Sequence, residues 1–101
     1  MKLFKVYTNE RGIVETNIYG EVDSLTYHRE DGPAFIEYDY NGNIRYEEYR
    51  INGEKHRLNG PAGIYYNASG TLINEVYYIN NIWYTKENYH KELLKLKLHL
   101  L

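Results

Sequence analysis

The seven residues HREDGPA, His28 to Ala34, return 28 positions later as HRLNGPA, His56 to Ala62, and the residues behind them return as well. Laid over one another without a gap, residues 28–55 and 56–83 share 12 identities: His28/His56, Arg29/Arg57, Gly32/Gly60, Pro33/Pro61, Ala34/Ala62, Ile36/Ile64, Tyr38/Tyr66, Gly42/Gly70, Glu47/Glu75, Tyr49/Tyr77, Ile51/Ile79 and Asn52/Asn80. A fixed period limits a fold severely, because each unit repeats one local structure and covers its apolar surface with its neighbours. The 101 residues then divide into a degenerate N-terminal cap (1–27), two full units (28–55 and 56–83) and a C-terminal cap (84–101), all within one domain.

Turn signals punctuate the chain at Arg11-Gly12, Tyr19-Gly20, Asp31-Gly32-Pro33, Asn41-Gly42, Asn52-Gly53, Asn59-Gly60-Pro61, Ser69-Gly70 and Asn80-Asn81. Their spacing, about 8–12 residues, predicts short strands joined by tight turns. Asn-Gly supplies the two left-handed residues of a type I′ hairpin, and Asn80-Asn81 substitutes because Asn tolerates positive φ. Each unit reads as a first strand (34–40, 62–68) and a second (44–51, 72–79). Alternation puts Ala34, Ile36, Tyr38 and Tyr40 on one face, and likewise Ala62, Ile64, Tyr66 and Ala68, which is assigned to the core. In the second strands Ile44, Tyr49 and Ile51, with Leu72, Tyr77 and Ile79, break strict alternation. A β-bulge near Glu47-Glu48 and Glu75-Val76 restores it.

Upstream, 4–8 and 13–19 read as the hairpin of a partial unit. Downstream a third unit begins at Tyr84 and fails, with Asn88 and Tyr89 where Gly and Pro belong. Thr85 is a candidate N-cap, Glu87 falls in a first turn, and Tyr89, Leu93, Leu96 and Leu100 have helical spacing. The run LKLKLHL, Leu94 to Leu100, alternates as a strand does. The tail is therefore either a closing helix or an added edge strand.

His28-Arg29 and His56-Arg57 invite a catalytic or metal reading. A site is normally built once from residues in different roles. These recur with the turn residues Gly32, Pro33, Gly60 and Pro61, which points to hydrogen-bonding parts of a fold. Arg29 and Arg57 are expected to meet Glu47 and Glu75 in a ladder of ion pairs. No phosphate loop, nucleophile elbow or zinc-ligand spacing is present. The reading is non-enzymatic, with no catalytic residue, metal or cofactor.

Cysteine is absent and the net charge is −2, which removes thiolate chemistry and offers no nucleic-acid signature. There is neither a long apolar run nor a signal-peptide pattern, so a soluble intracellular protein is expected. Lys86, Lys91, Lys95 and Lys97 leave a membrane-surface role for the tail as the alternative.

HRxxGPAxIxY, a turn glycine and ExYxIN together resemble the divergent MORN-like repeats abundant in giant DNA viruses of amoebae, their virophages and some bacterial antitoxin-like proteins. The resemblance covers the chain from the first hairpin to Thr85. It implies an extended antiparallel sheet, a scaffolding role, dimerisation and a viral or virophage source; some MORN proteins are linked to phospholipids. The 28-residue period and the HRxxGPA turn depart from the common repeat, away from that lipid link.

A single sheet with one short tail leaves a face open. Among the 13 tyrosines and other aromatics, Phe35, Tyr49, Tyr65, Tyr77 and Trp83 are expected on that face or its edge, and Leu96, Leu98 and Leu100 on an added strand. The expected partners are a second copy, forming a homodimer, and other repeat proteins of the same type.

Overall fold

A computed structural model describes residues 2–10, 13–21 and 26–99. Strands β1 (Lys2–Glu10) and β2 (Ile13–Glu21) form a hairpin, and β3 (Thr26–Tyr27) lies against the end of β2. There follow β4 (Phe35–Tyr38), β5 (Ile44–Glu48), β6 (Arg50–Ile51), β7 (Glu54–Lys55), β8 (Gly63–Tyr66), β9 (Leu72–Ile79) and β10 (Ile82–Tyr84), then one helix, α1 (Lys86–His99). The main sheet runs β1-β2-β4-β5-β8-β9-β10, antiparallel at every pairing, while β6 and β7 pair apart from it. The result is a slab of 47 × 34 × 18 Å.

Turn chemistry explains the connections. Asn52 (φ 49°) with Gly53 (83°), and Asn80 (47°) with Asn81 (70°), are left-handed pairs, the conformation a two-residue hairpin of this hand needs. Asn41-Gly42 and Ser69-Gly70 differ: only the glycine is left-handed there. A side-chain oxygen closes those turns instead. Asp39 Oδ1 accepts from Asn41 N (2.9 Å) and Asn43 N (3.0 Å), and Asn67 Oδ1 from Ser69 N and Thr71 N (3.0 Å each). The first strands therefore stop at Tyr38 and Tyr66, and Tyr40 (75% exposed) and Ala68 lie in turns rather than in the core. Gly20 is likewise no turn. β2 runs through it, and a Cβ there would stand 2.1 Å from Thr26 O, so glycine admits β3.

The bulges exist, but lie elsewhere in the strands than the alternation suggests. Register slips where Glu37 faces Tyr46 and Tyr38 faces Ile44, leaving Arg45 extra. The same slip between Tyr65/Asn74 and Tyr66/Leu72 leaves Ile73 extra. One inserted residue anywhere between Ile44 and Tyr49 repairs the parity, so the pattern alone does not locate it.

Cross-strand partners share a face. One face carries Ala34, Ile36, Ala62, Ile64, Tyr77 and Ile79, all buried, and α1 crosses it at β9 and β10. The tail is thus a helix. Thr85 Oγ1 accepts from Asn88 N (3.1 Å) as its N-cap, and Tyr89, 1% exposed, packs on Tyr77 and Ile79, with Tyr84, Leu93 and Leu96 around them. A strand would give up that cap and that burial. Leu96 accordingly faces the core instead of an added strand, Leu98 is 69% exposed on the helix, and Leu100 lies outside the described residues.

Candidate functional site

Two groups of side chains stand out, one on each face. On the helix face, the HRxxGPA turns make matching contacts. His28 Nδ1 accepts from Asn52 N and His56 Nδ1 from Asn80 N, both at 2.9 Å. Arg29 donates from Nε to Asp31 (3.0 Å) and from Nη1 to Pro33 O (3.3 Å); Arg57 donates to Asn59 (3.1 Å) and Pro61 O (3.0 Å). Each guanidinium also lies on a tyrosine ring, Arg29 on Tyr19 at 3.9 Å and Arg57 on Tyr49 at 3.8 Å. Gly32 and Gly60 leave room for that fold-back, since a Cβ at either would come within 2.9 or 3.0 Å of the guanidinium carbon.

These contacts overturn the expected ladder of Arg29 and Arg57 with Glu47 and Glu75. The arginines are used up inside their own turns. Glu47 instead accepts from Tyr66 OH (2.7 Å), and Glu75 is exposed. Burial first, and the Glu47 hydrogen bond second, push the Tyr66 hydroxyl up to about 12. Asp31 moves the other way, its carboxyl held below the usual range by the Arg29 hydrogen bond and charge.

On the opposite face an aromatic row crosses the strands. Tyr27 stacks on Phe35 (5.9 Å between centroids), Phe35 meets Tyr46 edge-on (6.0 Å) and Tyr46 tilts against Tyr65 (4.5 Å). Tyr78 and Trp83 pair across β9 and β10 on this side. Of the aromatics expected together on one open face, Phe35, Tyr65 and Trp83 are here, whereas Tyr49 and Tyr77 lie on the helix face. The strand parity set by the bulges separates them, and Tyr77 is buried under Tyr89.

Within the row sits a carboxylate the repeat comparison passes over. Glu48, 6% exposed, accepts from Tyr46 OH and Arg50 Nε at 2.5 Å each, with Lys55 Nζ at 3.8 Å. Burial first, and Glu48 second, push the Tyr46 hydroxyl well above its ordinary value. The counterpart of Glu48 in the next unit is Val76, so a charge stands where the repeat allows an apolar residue; that mismatch was the available signal. Two cations and a phenol surround the carboxylate, so the Glu48 charge is fully compensated and the cluster carries one net positive charge.

Among the described residues no group of three or more His, Asp or Glu is placed to hold a metal ion, and no helix is long and apolar enough to cross a membrane. Lys91 and Lys95 pair with Glu87 (3.3 Å) and Glu92 (3.9 Å), which lowers the free positive charge of the tail. Comparisons with protein-family models, curated proteins and solved structures return no match to this chain.

Proposed function

We propose that the chain is a non-enzymatic interaction or scaffold module of the MORN-like repeat type, of viral or virophage origin, that works as a homodimer. The observation that carries this reading is the aromatic row on the face away from the helix, in which Tyr65 is 40% exposed, with Trp83, 58% exposed, on the same face. Aromatic side chains of this kind are enriched at protein interfaces. A slab of 47 × 34 Å has a broad face larger than the roughly 800 Å² per partner of a standard interface. A second copy is the simplest cover, because a face related to itself by a two-fold axis is complementary in register. Contacts with other repeat proteins of the same type would use the same surface.

Light scattering over a wide dilution series tests this. The expected species has twice the 12.1 kDa chain mass and is lost in the Tyr65→Lys, Trp83→Lys double variant. A single-chain mass at every concentration overturns the proposal. A dimer indifferent to both substitutions moves the contact to the sheet edges at β1 or β10.

A further inference from the structure

The sheet grows by one kind of joint, in which the second strand of a unit takes the first strand of the next along its outer edge. β2 takes β4, with Asn17 facing Ile36 and Ile18 facing Phe35, and β5 takes β8, with Glu47 facing Ile64 and Glu48 facing Gly63. Each joint also carries a tyrosine hydroxyl from the incoming strand: Asn17 Nδ2 donates to that of Tyr38 (3.2 Å), and that of Tyr66 donates to Glu47 (2.7 Å). At β9 the third joint is left half-made. β10, the counterpart of β7, pairs with Tyr77, Tyr78 and Ile79, and among the described residues no strand lies on that side of Asn74, Glu75 and Val76. An open cavity of about 350 Å³ lies there instead, between residues 72–75 and the end of β10. Leu72 is 46% and Ile73 61% exposed, whereas their counterparts Ile44 and Arg45 are half-buried where β8 lies alongside. The neighbouring Asn74 side chain accepts from Glu75 N (3.0 Å) in place of a partner strand.

At the far edge of the sheet β1 presents the matching half, a first strand paired on one side only, with β2. Phe4 faces Ile18 and Lys5 faces Asn17, so Phe4, Lys5, Val6 and Tyr7 stand at the register positions of residues 35–38 in β4 and 63–66 in β8. From this we infer that the free edge of β9 is a docking site for β1 of a second copy of this chain, which repeats in trans the joint that the chain twice makes within itself. The same register sets Phe4 of the second copy opposite Val76, Lys5 opposite Glu75 and Val6 opposite Asn74, with Tyr7 at the position of Tyr38 and Tyr66. A lysine at the position of buried Ile36 and Ile64 discourages pairing with an arbitrary edge. Opposite Glu75 it becomes an attractive cross-strand pair. Backbone groups along the two edges supply the affinity, and that pair supplies the choice of partner. The joint is heterologous: it leaves a free edge at each end and adds copies one after another, whereas a two-fold contact through the aromatic face stops at two. It therefore does not rest on the dimer.

Light scattering on the intact, isotopically labelled chain up to millimolar concentration tests this, with the Asn74, Glu75 and Val76 amides followed by NMR in the same samples. The mass is expected to climb past twice 12.1 kDa, with those three amides shifting as it does. Glu75→Lys makes the facing pair repulsive and is expected to weaken this growth roughly tenfold. Glu75→Pro removes the edge N–H now held by the Asn74 side chain and should abolish it. The Lys5→Glu, Glu75→Lys double variant should regain it. A mass that levels off at two chains, with the three amides unmoved, overturns the inference and leaves the face dimer standing. Growth indifferent to both Glu75 variants overturns it too, as does a folded double variant no better than Glu75→Lys alone. The two Glu75 variants decide the matter even where the double variant does not fold. Growth in single-chain steps with no stable pair, lost in Glu75→Lys, upholds the joint and fails the dimer instead.

Discussion

Tyr89→Phe isolates a hydroxyl that ties the closing helix to the repeat turns. The substitution keeps the ring on Tyr77 and the burial of a residue 1% exposed. It removes the partner of Gly60 N and of the Arg57 and Gly60 carbonyls. A buried backbone group left without a partner costs about 1–3 kcal/mol. With three atoms sharing one hydroxyl, and the turn at the rim of the sheet, a total near 2 kcal/mol follows. For a domain of this size that is a fall of roughly 10 °C in Tm. Tyr89→Ala removes the ring too and is expected to cost about 4 kcal/mol, as buried aromatic truncations do. Urea and thermal melts followed by circular dichroism measure both. A Tyr89→Phe variant within about 0.5 kcal/mol of the parent, the scatter of neutral surface changes, would refute the assignment of the hydroxyl. So would equal losses for Phe and Ala. Burial also raises the hydroxyl's pKa. A raised pKa in the fold means the neutral phenol is favoured there, so its contribution is complete below about 10 and drains away as pH climbs through the folded value. Tyr89→Phe should therefore lose stability less steeply than the parent above that point.

Gly32→Ala should cost about 1 kcal/mol by driving Arg29 off Tyr19, a cation–π contact of that order, and should cost less in an Arg29→Ala background; additive losses in a double-mutant cycle would contradict the fold-back. Glu48→Gln should destabilise by about 2 kcal/mol, since it removes the charge from two short hydrogen bonds, whereas exposed Glu75→Gln should stay within about 0.5 kcal/mol; denaturant midpoints decide between them. Tyrosinate absorbance should show a component near 12 from Tyr66 that moves down in Glu47→Gln, and the stability that Tyr66 lends should persist below about 10 and be lost between there and 12.

The antiparallel sheet and most of its turns are legible in the sequence, because left-handed Asn and Gly at 52–53 and 80–81 leave little choice of hairpin. The tail is not legible from its pattern alone. LKLKLHL satisfies a strand as well as a helix, and what decides is non-local: Tyr89 meets a turn some thirty residues away. The faces of Tyr49 and Tyr77 were hidden for a related reason. A bulge shifts parity for everything beyond it, and one residue of register moves a side chain from one face to the other. The Arg29 and Arg57 partners were misread because conserved spacing between the units fits an arginine bonding inside its own turn as well as one crossing to a carboxylate. Only the short reach of Asp31 and Asn59, two residues away, settles the choice.

Where the two units differ is as informative as where they agree. Turn contacts, bulges and left-handed asparagines recur, so they belong to the construction of the sheet. A chain that kept repeating would lay down another turn after Trp83, as it does after Lys55. Instead Thr85 caps a helix, and Tyr89, at the position of Pro61, drops back onto Tyr77. Arg57 on Tyr49 and Tyr89 on Tyr77 are thus two ways of covering the same kind of ring. The arginine covers it from within the next turn and lets the sheet continue. The tyrosine covers it from a helix and turns the chain away after only three residues of β10. Stopping the sheet in this way shortens the exposed edge that would otherwise pair with other strands.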